Sequence, residues 1–297
     1  MTLGTTRVLD SSDLCYYDLQ KFLNDNYIQP EGTRRIDYSI SYLKWILKDC
    51  KCICMLDCAN GLIGFVSLWS IKMILNGYTA NGVPSDPFDV EYANVLCIRD
   101  DYRKKNLIHV LTSEIKRVAS SYVGMFSVRY IVNQNMFSIS TIYHKTLSNN
   151  DFIPNSNLRE LLVTDLQQVI TTWNSKCSST FKISQYLTIK DVERLLDRPC
   201  YSYTDGCNFG AFYTTSFNDD SKVATLYYYS SLCIIPQLLH KIFQLGITSV
   251  NCTCLMGNQE LLSSPFNFSL GSGILYNYFY GCSMKYFEPN EVGLVLV

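Results

Sequence analysis

The sequence predicts a mixed α/β (α+β) fold, and three observations predict it. Segments whose apolar residues recur every three or four positions alternate with segments that read as strands. Asn60-Gly61 lies between two β-rich runs, KCICMLD and LIGFVSLWSIKMIL, the pattern of a hairpin. From Val90 to Ala119 a strand, VEYANVLCI, passes through a turn dense in cations into an amphipathic helix, LIHVLTSEIKRVA.

Each element follows from its own pattern. Between Ser12 and Asn24, DLCYYDLQKFLND sets Leu14, Tyr17, Leu19 and Phe22 near helical spacing behind a Ser or Asp cap. After the loop IQPEGTRR, DYSISYLKWIL offers Tyr42, Leu43, Trp45, Ile46 and Leu47 as a second helix capped near Ser39. The hairpin follows, then a loop rich in Gly, Pro and Asp, the strand, basic turn and helix, and a further strand at FSVRYIV. Beyond Asn150 the order begins again. LRELLVT is a short strand, DLQQVITTWNSK a helix opened by Asp165, and LTIKDVERLL a helix with Thr188 and Asp191 near its start. NFGAFYTT and ATLYYYSS are strands joined by NDDSK, and IPQLLHKIFQLG carries Leu238, Leu239, Ile242 and Leu245 on one face with Gly246 as C-cap. SVNCTCLM and GILYNYFYG are the last long strands. Two related halves, 1–150 and 151–297, fit this order, although no close sequence repeat accompanies it.

Composition narrows the function. The 297 residues are 47% hydrophobic with a formal net charge of -1, so no global field draws the chain to nucleic acid. Charged residues reach only 17%, against roughly 25% in an average globular chain, and 22 tyrosines leave polarity to Tyr and Asn. No apolar run reaches the ~18 residues of a membrane-spanning helix. Thirteen cysteines and a first stretch without a secretory signal fit a reducing cytoplasm, and a monomer is expected. Cys50, Cys52 and Cys54 alternate, which on a strand places three thiols on one face with Cys58 past its end. Structural zinc draws paired ligands from two knuckles, a spacing these do not supply, so core packing is the preferred reading and no metal is expected. H-E-x-x-H, G-x-S-x-G and Walker motifs are missing from the sequence.

Two stretches carry the chemistry. At the basic turn, Arg103, Lys104, Lys105 and Asn106 stand before a helix whose first N–H groups and positive dipole end suit a phosphorylated ligand. The backbone from Asn94 to Cys97 would then lie beside that ligand's reactive group. The second stretch is the ending VGLVLV, with the composition of an interior strand. Either it completes a sheet and its carboxylate reaches the surface, or the carboxylate is held in a cleft as a base.

The run NVLCIRDDYRKKNLIHVLTSEIKR resembles the signature of N-myristoyltransferases (glycylpeptide N-tetradecanoyltransferases). Asn94, Leu96, Cys97, Arg103, Lys105, Val110, Leu111, Glu114, Ile115 and Arg117 stand as that family has them, and Val292-Gly293-Leu294-Val295-Leu296 is similar to its other signature. LNDNYI, IDYSISYLKWIL, GFVS, YHKTL, FYT, LM-x-N at Leu255 to Asn258 and FSLGSGILYNY match in the same order, so the resemblance runs from about Asp13 onward. The compact, Tyr- and Asn-heavy chain fits a viral origin.

The resemblance implies two tandem GNAT-like halves forming a saddle-shaped mixed sheet with flanking helices, the first binding acyl-CoA and the second most of a peptide. It implies transfer of a myristoyl group from myristoyl-CoA, a co-substrate rather than a resident cofactor, to an N-terminal glycine amine. Val297 would supply its C-terminal carboxylate as base, and the backbone amides of Val95 and Leu96 an oxyanion hole. Acyl-CoA contacts would come from Asn26, Tyr27, Ile28, Cys97, Arg103, Lys104, Lys105, Asn106, Leu107 and Ile108. Peptide contacts would come from Tyr38, Asn94, Tyr143, His144, Ser216 and Leu275. Several positions depart from the family. No aromatic lid segment precedes Asp13, the acidic loop reads Gln29-Pro30-Glu31-Gly32, Asn106 and Lys104 replace Arg and Ser, and Ile131 and Ser272 replace a Thr and an Asp. A silent acyl-CoA or acyl-peptide binder, or a GNAT-type N-acyltransferase using another donor, are the alternatives.

Overall fold

The computed structural model describes residues 5–27, 36–76, 86–103, 105–121, 123–128, 136–148, 157–263, 265–282 and 284–295. Ile28, Gln29 to Gly32, Lys104, Ile131, Leu296 and Val297, all singled out by their place in the sequence, lie outside them, as does the side chain of Ser272.

The elements of the first half are β1 (Thr5–Asp10), α1 (Tyr16–Asn26), β2 (Ile36–Asp37), α2 (Ile40–Ile46), β3 (Lys51–Asp57), β4 (Gly61–Leu75), β5 (Phe88–Ile98), α3 (Leu107–Val118), β6 (Gly124–Val128) and β7 (Met136–Thr146). Helix α1 starts at Tyr16 rather than Ser12 and has no side-chain cap; it buries Leu19, Phe22 and Leu23, while Tyr17 is 70% exposed. Ser39 does cap α2, its hydroxyl accepting from the Tyr42 amide, and Tyr42, Leu43, Trp45, Ile46 and Leu47 are buried. The β3–β4 hairpin forms as read: the Asp57 carboxylate accepts from the Ala59 and Asn60 amides, and Gly61 takes φ 70°. Cys50, Cys52 and Cys54 are buried in the main core, whereas Ile53 and Met55 face α3 with Val66, Leu68, Leu107 and Leu111.

The second half supplies β8 (Arg159–Glu160), α4 (Leu166–Thr180), β9 (Ile183–Tyr186), α5 (Ile189–Glu193), β10 (Cys200–Thr204), β11 (Phe209–Phe217), β12 (Lys222–Tyr229), α6 (Ile235–Gln244), β13 (Ser249–Thr253), β14 (Ser269–Tyr280) and β15 (Val292–Gly293). Strands β1, β7, β9 and β10 escape the periodicity reading, and LRELLVT shrinks to two strand residues. Asp165 pairs with Arg159 and accepts from the Leu162 amide, and Asp191 binds both the amide and the hydroxyl of Thr188. Helix α6 buries Leu238, Leu239 and Ile242, but Leu245 is 44% exposed because the helix has already ended at Gln244.

Among the described residues the strands form one mixed sheet in the order β1-β3-β4-β5-β6-β14-β7-β13-β12-β11-β10-β8, with β2 on β11, and β9 joining β4 to β15. The order interlocks the two halves. Strand β14 sits between β6 and β7, so β7 has both its neighbours, β14 and β13, from the second half. β5–α3–β6 and β12–α6–β13 are parallel strand–helix–strand units.

Candidate active site

A bulge in β5 creates the central feature. Across β4 and β5, Phe65 pairs with Cys97 but Ser67 with Asn94, so Val66 faces both Val95 and Leu96. Val95 adopts φ 49°, an outlier conformation for a β-branched residue. Leu96 is turned outward, 42% exposed, between buried Val95 and Cys97. The Val95 amide leaves the ladder and donates to Asn94 Oδ1 at 2.9 Å; Ser67 Oγ holds the Asn94 carbonyl at 3.0 Å. β5 and β6 pair only from Glu91↔Gly124 to Ala93↔Phe126, although both strands run on. A wedge therefore opens at Asn94, with the bulge on one side and Ser127 and Val128 on the other.

The basic turn closes the outer end of β5. Arg103 faces inward: its guanidinium donates to Ile98 O at 3.1 Å and also binds Asp100 and the Asn26 carbonyl. It ties the end of α1 to the end of β5. Arg99 pairs with Asp101 at 2.7 Å, and Lys105 Nζ stands 4.2 Å from the Tyr102 ring centroid. Asn106 is left-handed at φ 57° and no side chain caps α3, so the first-turn amides, with exposed Lys105, present an open anion site. Asn26 accepts from the Asp100 amide at 3.3 Å, bringing it and the partly buried Tyr27 beside the turn. Leu107 is buried beneath α3, while Ile108 is 40% exposed. Burial pushes the Cys97 thiol up to about 12 against the opposing pull of Arg103, which keeps it neutral.

The predicted peptide residues divide between two faces. Residues opposite each other on antiparallel strands share a face, and the pairings Ser67↔Asn94, Asn277↔Ser127 and Leu275↔Ser140 put Asn94, Leu275 and the alternate β7 residues Ser138, Ser140 and His144 on one side. His144 Nδ1 contacts Asn251 Oδ1 at 2.9 Å. Tyr143 belongs to the other side, buried, its hydroxyl raised to about 12 by desolvation. Tyr38 is buried against Tyr27, ring centroids 5.4 Å apart, and Ser216 pairs with the adjacent Asp37.

The last described residues approach this face. β15 runs parallel to β9, which runs antiparallel to β4, so the chain advances from the level of Leu75 toward that of Trp69. Val292, Leu294 and Val295 are at most 3% exposed. Val295 lines a small cavity with Trp69, Gln185, Tyr227 and Tyr228. Trp69 sits opposite Tyr92, two residues before Asn94.

Residues 6–140 match the family model described as Myristoyl-CoA:protein N-myristoyltransferase, N-terminal domain. This stretch of the chain carries the N-terminal domain of the N-myristoyltransferase family. Its fold is similar to a crystal structure of Saccharomyces cerevisiae N-myristoyltransferase with bound myristoyl-CoA, with a TM-score of 0.82 and 18% identity over 100% of this chain and 90% of that one. A second such yeast structure gives 0.83 and 17%, covering 100% and 86%. A GCN5-related N-acetyltransferase from Kribbella flavida gives 0.56 and 9%, covering 93% and 71%, consistent with a GNAT-like fold. No curated protein matches the sequence. Three residues at the wedge, Tyr92, Ser127 and Asn277, were missed from sequence. The available signal was an amide in the middle of the aromatic run LYNYFY.

Proposed function

We propose that this chain as a whole is an N-myristoyltransferase, which transfers a myristoyl group from myristoyl-CoA to the N-terminal glycine amine of proteins. The observation that carries the reading is the bulge at Val95 and Leu96, set where β5 parts from β6 and followed by the open start of α3. The phosphates of CoA would take the first-turn amides of α3 with Lys105 and Lys104, and the thioester would lie along the bulge. The first half, 1–150, would hold the acyl-CoA, and the second, 151–297, most of the peptide.

The chemistry follows from the groups available. A free glycine amine has a pKa of roughly 7.7 to 8.0 and must lose a proton before attack. The carboxylate of Val297 takes that proton in this proposal; apolar burial of the kind seen at Val292 to Val295 raises a carboxylate's proton affinity. The amine nitrogen then bonds to the thioester carbon, and charge on its oxygen is met by the Val95 and Leu96 amides. Asn94 Oδ1, which holds the Val95 amide, must share or release it. Collapse breaks the C–S bond, leaving the amide and CoA. Peptide contacts are assigned to Tyr38, Asn94, His144, Ser216 and Leu275.

The test is to incubate the chain with myristoyl-CoA and a glycine-starting octapeptide, beside versions one residue shorter or several residues longer at the end. Amide product from the native terminus alone, with acyl-CoA bound by all three, is the expected result. Binding without product from any version would replace this reading by a silent binder. Product only with a donor of another acyl length would make it a different N-acyltransferase.

A further inference from the structure

A row of small polar residues crosses the sheet at the level where the wedge opens. Ser67 on β4 lies opposite Asn94 on β5; Ser127 on β6 follows the last β5–β6 pair; Asn277 on β14 lies opposite Ser127; and Ser138 on β7 lies opposite Asn277. Asn277 is wholly buried in a strand whose neighbours are Tyr276, Tyr278 and Phe279. A buried amide in such a place needs both its ends satisfied. Ser127 Oγ donates to Asn277 Oδ1 at 2.7 Å, and Asn277 Nδ2 reaches Ser140 Oγ at 3.4 Å.

The direction of these bonds decides what the wedge meets. A serine hydroxyl has one proton and two lone pairs, and alone it can donate or accept. Here the Ser127 proton is committed to a carbonyl oxygen, which can only accept. Ser127 remains partly exposed on the face that carries Asn94, with the lone pairs of its oxygen left to accept.

We propose that Ser127 receives an N–H of the substrate's amine at the apex of the wedge, and that Asn277 is a positioning residue that makes this hydroxyl an acceptor only. The proposal rests on the transferase reading for the existence of an amine substrate. It adds a chemical selection: a group that donates is accepted at this point, and one that cannot donate gains nothing there.

The experiment measures equilibrium binding, in the presence of CoA, of a glycine-starting octapeptide and of its desamino counterpart, in which acetyl replaces glycyl. The wild-type chain should prefer the amine peptide. Ser127→Ala should weaken the amine peptide by roughly ten- to a hundredfold, the range of a lost hydrogen bond to a charged group, and leave the desamino peptide within about twofold. Ser127→Thr, which keeps the hydroxyl, should restore the preference. Equal weakening of both peptides by Ser127→Ala, no weakening of either, or a wild-type chain indifferent to the amine would each overturn the assignment. Turnover is scored separately: an absence of amide product from the wild-type chain would sink the transferase reading while the amine preference could still be read.

Discussion

Val95 holds a φ of 49° in the middle of a strand, where a valine is ordinarily extended, and Asn94 Oδ1 takes the amide that this conformation releases. Strain of this kind, of order 1–3 kcal/mol, persists only where the surroundings impose it; here the bulge lies under Val66 and beside Ser67. Asn94 thus serves two parties, the bulge and the face that carries His144 and Leu275. Asn94→Ala should therefore raise the peptide KM by about tenfold or more, the effect of one or two lost polar contacts, while acyl-CoA affinity measured by calorimetry stays within about twofold. A parallel loss of acyl-CoA affinity would place Asn94 in the integrity of the basic turn instead. The neighbouring Arg103 illustrates why residue identity alone misleads: the sequence shows a cation in an anion-binding turn, and the fold spends its guanidinium on Ile98, Asp100 and the carbonyl of Asn26.

Elements whose signals are local were legible in the sequence. The Asn60-Gly61 hairpin, the Ser39 cap and the strand, turn and helix from Val90 to Ala119 each depend on residues close together in the chain. The missed strands lack such signals. β1 is an edge strand with little buried side chain, β9 has four residues, and β7, MFSISTIYHKT, mixes apolar residues with Ser, Thr and His, of which Ser138 and Ser140 are buried in a strand flanked by β14 and β13. The wedge was out of reach for the same reason, since Ser127 and Asn277 are 150 residues apart. β15 shows how tightly one such long-range element is seated. A Cβ at Gly293 would overlap the Phe181 ring and stand 2.9 Å from Ser184 Cβ. Gly293→Ala is expected to destabilise the chain by about 1–3 kcal/mol, lowering the melting temperature by several degrees, and to reduce turnover more than acyl-CoA binding, because the approach of Val295 to Trp69 is displaced. An unchanged melting temperature would show that β15 is loosely held.

At the level of the whole molecule, buried thiols and phenols give the fold a characteristic pH response. Cys54 is raised to about 11, and Cys97, Cys177 and Cys200 to about 12, chiefly by desolvation, as are the hydroxyls of Tyr92 and Tyr143. In the unfolded chain the thiols ionise near their ordinary value of roughly 8.5. Between about pH 9 and 11 the unfolded chain therefore holds fewer protons than the folded one, and stability falls as pH rises, by up to about 1.4 kcal/mol per pH unit for each such thiol. Thermal denaturation from pH 8 to 10.5 should show a steadily falling midpoint; a flat profile would mean that these thiols already ionise in the folded state. The interlocked sheet has a different consequence, for synthesis. β7 ends at Thr146, whereas its two partners begin at Ser249 and Ser269. At about 5–20 residues per second, a ribosome needs on the order of 5 to 20 seconds to deliver the first of them. For that interval an eleven-residue strand waits in the nascent chain with both hydrogen-bonding edges unmatched, so chaperones that shield emerging polypeptide should govern the yield of this protein in the cell.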